Sequence, residues 1–278
     1  MPPIHFALAS KGDLVGLDRL SIVASALQRQ LTFDFSPIWF RAAVISAYPI
    51  SDMPDDRIAI VVQDWLDDPA ADGLHYFPDG GLPYALVRYA ADERWSIAAS
   101  HEMLEIAIDP AGDEHVAGPS PRPDQGTVRF VQEICDPCQD PRFAYDIETV
   151  QVSDFCTPRF YGLPQASDGA ARGRYDFRGR IGAPFQVLTG GYLSWITDDG
   201  HLWQANNTGG AALAFSDLGH AADRGFLAMR EYVDSLTPDR HGQLHGPARS
   251  SGRSRAYASL GDRLLAEAER RFGSGAKT

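Results

Sequence analysis

The stretch Trp95-Ser96-Ile97-Ala98-Ala99-Ser100-His101-Glu102-Met103-Leu104-Glu105-Ile106-Ala107-Ile108-Asp109-Pro110 decides how this chain is read. It is the strongest helical segment of the sequence. Pro110 stops it, because the residue before a proline is pushed out of the helical region. Asp92 or Ser96 is the expected N-cap. His101 and Glu105 stand four residues apart and therefore project from one face, one turn from each other. Glu102 lies beside His101 around the helix. Ile97, Leu104 and Ile108 mark the face expected to turn into the core, which leaves the other for a metal ion.

This is the H-E-x-x-H arrangement of zinc peptidases with Glu in the second ligand position. A catalytic zinc takes three protein ligands and keeps a fourth position for water. The metal's charge acidifies that water, and an adjacent carboxylate receives the proton during attack on a carbonyl. His101 and Glu105 are the expected ligands and Glu102 the expected general base. Glu133 and Asp136, downstream of the helix, are equal candidates for the third ligand. Asp109 is expected at the helix end as a capping or orienting carboxylate. One histidine and two carboxylates make a hard, anionic donor set, so zinc is expected first, with manganese or iron(II) behind it.

Upstream of the helix, Leu74 to Tyr89 reads as a hairpin around an Asp79-Gly80 turn. Pro83 places its second arm at a sheet edge. Such an edge next to the helix can hold an extended peptide by strand addition. Further back, Ile4–Ala9, Ala42–Ser46 and Arg57–Gln63 read as strands, and Val15–Leu31 as an amphipathic helix. Downstream, Ala111–Gly126 reads as a polar, proline-rich loop. Val128–Ile134 is a short apolar segment, and Tyr145–Trp203 is a succession of short apolar stretches broken by Gly, Pro and Asp, which favours β structure. The expectation is an α+β fold: a zincin-like domain over residues 1–215, a mixed sheet carrying the active-site helix, with a β-rich portion from about 145. A helical extension (216–239), a flexible linker (240–255) and a C-terminal helix (256–278) are expected to follow.

Four groups of residues resemble a little-characterised group of bacterial and phage-associated proteins that look like zincin-type metallopeptidases. They are Leu74-His75-Tyr76 with Asp79-Gly80 and Pro83-Tyr84-Ala85; Trp95-Ser96 with Ser100-His101-Glu102, Leu104-Glu105 and Asp109-Pro110; Cys135-Asp136-Pro137; and Val152-Ser153-Asp154-Phe155 with Thr157-Pro158. The similarity continues through Gly173-Arg174-Tyr175-Asp176 and Ala183-Pro184-Phe185 to Gly190-Gly191-Tyr192, so it covers roughly residues 70–205. It implies a peptidase acting on a peptide or protein, with His101, Glu102 and Glu105 in the roles given above. Glu105 is the departure from the better-known pattern.

Composition bounds the rest. The chain has 278 residues, 44% of them hydrophobic and 22% charged, enough for a sizeable core. Acids outnumber Lys plus Arg by 37 to 25, which argues against nucleic acid or an anionic membrane as partner. The mildly basic helix near the C-terminus is instead a possible site for a protein partner. No run is long and apolar enough for a membrane span, and the first residues lack a signal-peptide pattern, so a cytoplasmic location is expected.

Cys135, Cys138 and Cys156 are too few for a Cys₄ zinc ribbon and are expected as buried thiols. His75 is expected to be structural, His115 to lie in a loop, and His220, His241 and His245 to face solvent. Tyr145 and Tyr161 are weak candidates for donors to an oxyanion. Gly190-Gly191 and Gly209-Gly210 read as turns. Two rivals stand beside the peptidase: a phage-derived or particle-associated structural protein that keeps the metal as a staple, and an inactive zincin scaffold that captures basic peptides.

Overall fold

Parallel pairing of three early strands begins the fold in the computed structural model, which describes residues 2–220 except 13, 67–69, 79–80, 111–113, 165–170 and 172. The expected Asp79-Gly80 turn, the linker 240–255 and the helix 256–278 lie outside the described residues. Strand β1 (Ile4–Ser10) pairs in parallel with β2 (Ala43–Ala47) and with β3 (Ile58–Gln63). Next to β3 runs β5 (Tyr84–Arg88), again parallel, and β4 (Gly73–Tyr76) closes the edge as an antiparallel strand. The sheet order is β2-β1-β3-β5-β4.

Pro83 lies just outside β5 and removes no ladder donor from it. Its arm is therefore interior, and the edge falls to β4, the reverse of the sequence expectation.

The period of two decides which face is covered. On β2, Ala43 and Ile45 are buried while Val44 and Ser46 are exposed. Ile58, Ile60 and Val62 of β3 and Ala85 and Val87 of β5 join the main core beneath the helices. The opposite side of the β4–β5 edge carries a smaller cluster of Leu66, Leu74, Tyr76 and Leu86.

Helix α1 (Leu17–Arg29) connects β1 to β2 and buries Leu20, Val23, Ala24 and Leu27. It continues into a π-helical turn, Gln30–Phe35, and a short helix α2 (Ser36–Trp39). Helix α3 (Trp95–Ile108) packs against β3, β4, β5 and a later strand.

Two expectations about α3 need correction. Arg94 occupies the N-cap position without a side-chain cap; Ser96 Oγ instead donates to the carbonyls of Glu93 and Gln151. Nor does the helix have a solvated face. Every residue but His101 is buried, as expected for a helix that is apolar nearly all round. The dominance of Ile, Ala, Leu and Met over that length was the signal, and the polar triplet His101, Glu102 and Glu105 obscured it.

The second half forms an antiparallel sheet in the order β12-β11-β10-β7-β6, built from β6 (His115–Pro119), β7 (Thr127–Val131), β10 (Tyr192–Ile196), β11 (His201–Asn206) and β12 (Ala214–His220). A small hairpin, β8 (Tyr145–Ile147) with β9 (Val150–Val152), lies against α3. The expected β-rich second half is present. Strand β6 falls inside the segment read as a loop: its Gly and Pro hid a register in which each residue pairs with β7. Residues 216–220, expected to be helical, belong to β12. The chain is thus a mixed α+β protein, mostly sheet, with two main helices. Among the described residues no helix is long and apolar enough to cross a membrane.

Where α1 gives way to the π-helical turn, fully buried Gln30 joins the helices to β9. Its Nε2 donates to the Ser153 carbonyl at 2.9 Å and to the Tyr145 hydroxyl at 3.2 Å, and its Oε1 accepts from Ser100 Oγ at 2.7 Å. Ser100 Oγ in turn accepts from the Ser153 N–H at 3.1 Å. Gln30→Leu keeps the volume but removes partners from buried polar groups. It should cost about 1–3 kcal/mol in urea unfolding; an unchanged midpoint would show that the network contributes nothing.

Candidate metal centre

Three separate pieces of chain bring acids and imidazoles together. Helix α3 supplies His101, Glu102 and Glu105, strand β4 supplies His75, and the segment following β7 supplies Glu133 and Asp136. Their potential ligand atoms fall into overlapping groups of three within 4.8 Å: His75, Glu102 and Glu105; Glu105, Glu133 and Asp136; and His101, Glu105 and Cys135. Glu105 belongs to all three. Its Oε1 accepts the backbone N–H of Cys135 at 3.1 Å, which leaves Oε2 facing the histidines.

His101 Nε2 lies 3.1 Å from Glu105 Oε2 and 3.3 Å from Asp136 Oδ1. His75 Nδ1 lies 2.6 Å from Glu102 Oε2 and 4.0 Å from Glu105 Oε2. All four carboxyl groups and His75 are buried, and His101, 12% exposed, is the side chain through which the cluster meets the surface.

The turn that carries Asp136 is held from behind. Chain 132–135 leaves β7 and enters a 3-10 turn, Asp136–Cys138. The Ile134 carbonyl accepts from Cys156 N at 2.6 Å and the Pro137 carbonyl from Leu188 N at 2.9 Å. Gly191 presses on this turn so closely that a Cβ there would sit 2.5 Å from the Pro137 oxygen and 2.8 Å from that of Asp136. The Gly190-Gly191 pair is therefore a turn, as expected, and the absence of a side chain at Gly191 lets the backbone back the Asp136 turn.

Burial pushes the His101 imidazole toward neutrality, yet the charge of Glu105 and hydrogen bonds from Asp136 and Glu105 outweigh it, with Glu102 adding to them. The net result lies well above the ordinary histidine value. Without a metal, this raised value means that the protonated ring stabilises the fold at acid pH, and that the contribution is lost as pH rises through the folded value. A metal at Nε2 must displace that proton. Apparent zinc affinity, measured by competition with a chromophoric chelator, should therefore fall about tenfold per pH unit as pH drops below that raised value. A flat profile would show that no proton leaves His101 on binding.

The remaining sequence candidates divide. Asp109 stands at the C-cap position of α3 and its carboxylate accepts the Glu114 N–H at 2.9 Å, a bond that ties down the chain after the helix and satisfies none of the helix's last carbonyls. Tyr161 donates its hydroxyl to the Glu133 backbone carbonyl at 3.1 Å and so braces the segment between β7 and the Asp136 turn. Tyr145 is bonded to Asp34 and Gln30 on the far side of α3.

His115 lies on β6 and lines a separate cavity of about 530 Å³ with Trp39, Arg41 and Ile108. His220 is half-buried against the ring of His201 rather than facing solvent, and His241 and His245 lie outside the described residues. The three cysteines are free and buried; burial pushes the Cys156 thiol up to about 11 and those of Cys135 and Cys138 well above their usual range. They are thiols, not the thiolates that redox exchange requires.

The residue that sequence reasoning passed over is His75. Its signal lay in alternation: Leu74 and Tyr76 are apolar, so Gly73 and His75 share the other face, the one covered by α3.

No family model matches this chain, and neither a curated protein nor a solved structure matches it.

Proposed function

We propose that the chain is a zinc-dependent hydrolase of zincin-like build, acting on peptides or proteins. The observation that carries this reading is the placement of two carboxylate oxygens about His101 Nε2. Ligands at zinc–nitrogen and zinc–oxygen distances, arranged tetrahedrally, lie about 3.3 Å from one another; His101 Nε2 stands 3.1 Å from Glu105 Oε2 and 3.3 Å from Asp136 Oδ1. The donor chemistry fits a divalent cation, since buried carboxylates this close repel one another unless positive charge lies between them. The fold supports the reading too: a mixed sheet with one antiparallel edge strand carries the helix on which His101, Glu102 and Glu105 stand.

His101, Glu105 and Asp136 would hold the ion, with Glu133 the carboxylate next to them. Bound there, the metal supplies the charge that acidifies a water molecule and polarises a substrate carbonyl. Glu102 would be the base, its carboxylate taking up a proton and passing it to the departing amine. Partial exposure of His101 gives substrate its access, while burial of Glu102 and Glu105 keeps bulk water from the proton path.

The test is elemental analysis of the purified full chain together with an assay on fluorescein-labelled casein. One zinc per chain and chelator-sensitive cleavage are expected. A folded chain that takes up no divalent metal overturns the reading, and so does a zinc-loaded chain that leaves casein and a mixed peptide library intact.

A further inference from the structure

Strand β4 does more at this site than close the sheet. Gly73 and His75 are two residues apart and face α3, where both meet Glu102, while Glu105 Oε2 lies 4.0 Å from His75 Nδ1. His75 Nδ1 is 2.6 Å from Glu102 Oε2, with both side chains buried. With Glu102 as the carboxylate that a base must be, the hydrogen in that bond belongs to the imidazole. The ring is steadied by an edge contact with Phe77, centroids 5.1 Å apart. On the other side, a Cβ at Gly73 would lie 2.6 Å from Glu102 Oε1 and 3.0 Å from its Cγ. The missing side chain is therefore the space that the carboxylate occupies. Gly73 has ordinary strand backbone, so its need for glycine comes from this contact and not from a conformation other residues resist.

We infer that Gly73 and His75 form a seat that fixes the rotamer of Glu102, and that His75 is a positioning residue for the proposed base and not a metal ligand. The inference rests on the reading of Glu102 as that base. A glutamate side chain rotates freely about three bonds when unconstrained. Holding one oxygen by a charge-assisted hydrogen bond and packing the other against a bare Cα removes that freedom before substrate arrives. Proton transfer needs the acceptor within hydrogen-bond reach, so the seat acts on turnover and leaves metal affinity and substrate capture alone.

Two measurements on the full, zinc-loaded chain test this. In protein labelled with ¹⁵N-histidine, a long-range proton–nitrogen spectrum should show His75 protonated at Nδ1, with a downfield, hydrogen-bonded proton that Glu102→Ala and Gly73→Ala both abolish or shift. A His75 Nδ1 without a proton, or ligated by cadmium substituted for zinc, overturns the assignment. With fluorescein-casein as substrate, His75→Ala should lower kcat about 10–100-fold with KM and zinc content within about twofold of wild type. His75→Asn, whose amide can donate from nearly the same place, should recover part of the loss. Gly73→Ala should mimic His75→Ala, because the clash moves the end of a flexible side chain and not the fold. Normal kcat in His75→Ala, or loss of zinc from it, removes the seat. Casein left intact by the wild type itself points elsewhere: it removes the peptidase reading and this role with it, and leaves the hydrogen bond as a structural contact.

Discussion

Glu102→Gln should keep one zinc per chain and lower peptide hydrolysis about 10²–10⁴-fold, the usual contribution of a positioned general base. The substitution is nearly isosteric, and Glu102 is buried beside Gly73, where its shape matters. The amide oxygen can still accept from His75 Nδ1, so the 2.6 Å contact can persist and the strand need not move. What disappears is a group able to take a proton and give it back. Because Glu102 is not among His101, Glu105 and Asp136, zinc content should not fall. Wild-type turnover by the glutamine variant would show that Glu102 is not the base, and no turnover in either protein, with zinc retained in both, would leave the metal in a purely structural role. Loss of zinc would instead place Glu102 among the ligands.

His101→Ala should abolish zinc retention, weakening binding by more than the roughly 10–100-fold typical of groups that merely support a ligand. His101 Nε2 is the point where Glu105 and Asp136 converge, and the two carboxyl groups lie on different parts of the chain. The fold should survive, since His101 is the one residue of α3 that is not fully buried. The variant can then be read by thermal unfolding as well as by metal content. A ligand that binds only the native state stabilises it by about 2.7 kcal/mol at a hundredfold excess over Kd. Added zinc should therefore raise the melting temperature of the wild type and leave that of His101→Ala unmoved. An equal rise in both would place the ion elsewhere.

Local pattern made the helix, its proline stop and the shared side of His101 and Glu105 legible in the sequence, because 3.6-residue spacing fixes which side chains share a side. His101, Glu102 and Glu105 follow from that spacing alone. The early strands were legible for a similar reason: short β-branched runs such as Ile58–Val62 have few other uses.

What long-range packing decides was not legible. Pro83 suggested an edge, yet it fell one residue outside its strand, and the neighbours of β5 could not be inferred from its own residues. The approach of Asp136 to His101 depends on the 3-10 turn, which is itself backed by Gly191, more than fifty residues on. His75 was hidden because a single histidine in a strand gives no indication of what covers it. Strand β6 was hidden because its Gly118 and Pro119 resemble loop residues until β7 pairs with them. Gly118 is in fact pressed against the rings of Phe130 and Phe185, where a Cβ would clash.

Anomalous diffraction at the zinc edge, from crystals of the full chain grown with zinc, tests the central claim most directly. A single strong peak is expected within bonding distance, about 2.0–2.2 Å, of His101 Nε2, a Glu105 carboxylate oxygen and an Asp136 carboxylate oxygen, with His75 still on Glu102. A peak between His75 and Glu102, or none in the cluster at full zinc occupancy elsewhere, would contradict it.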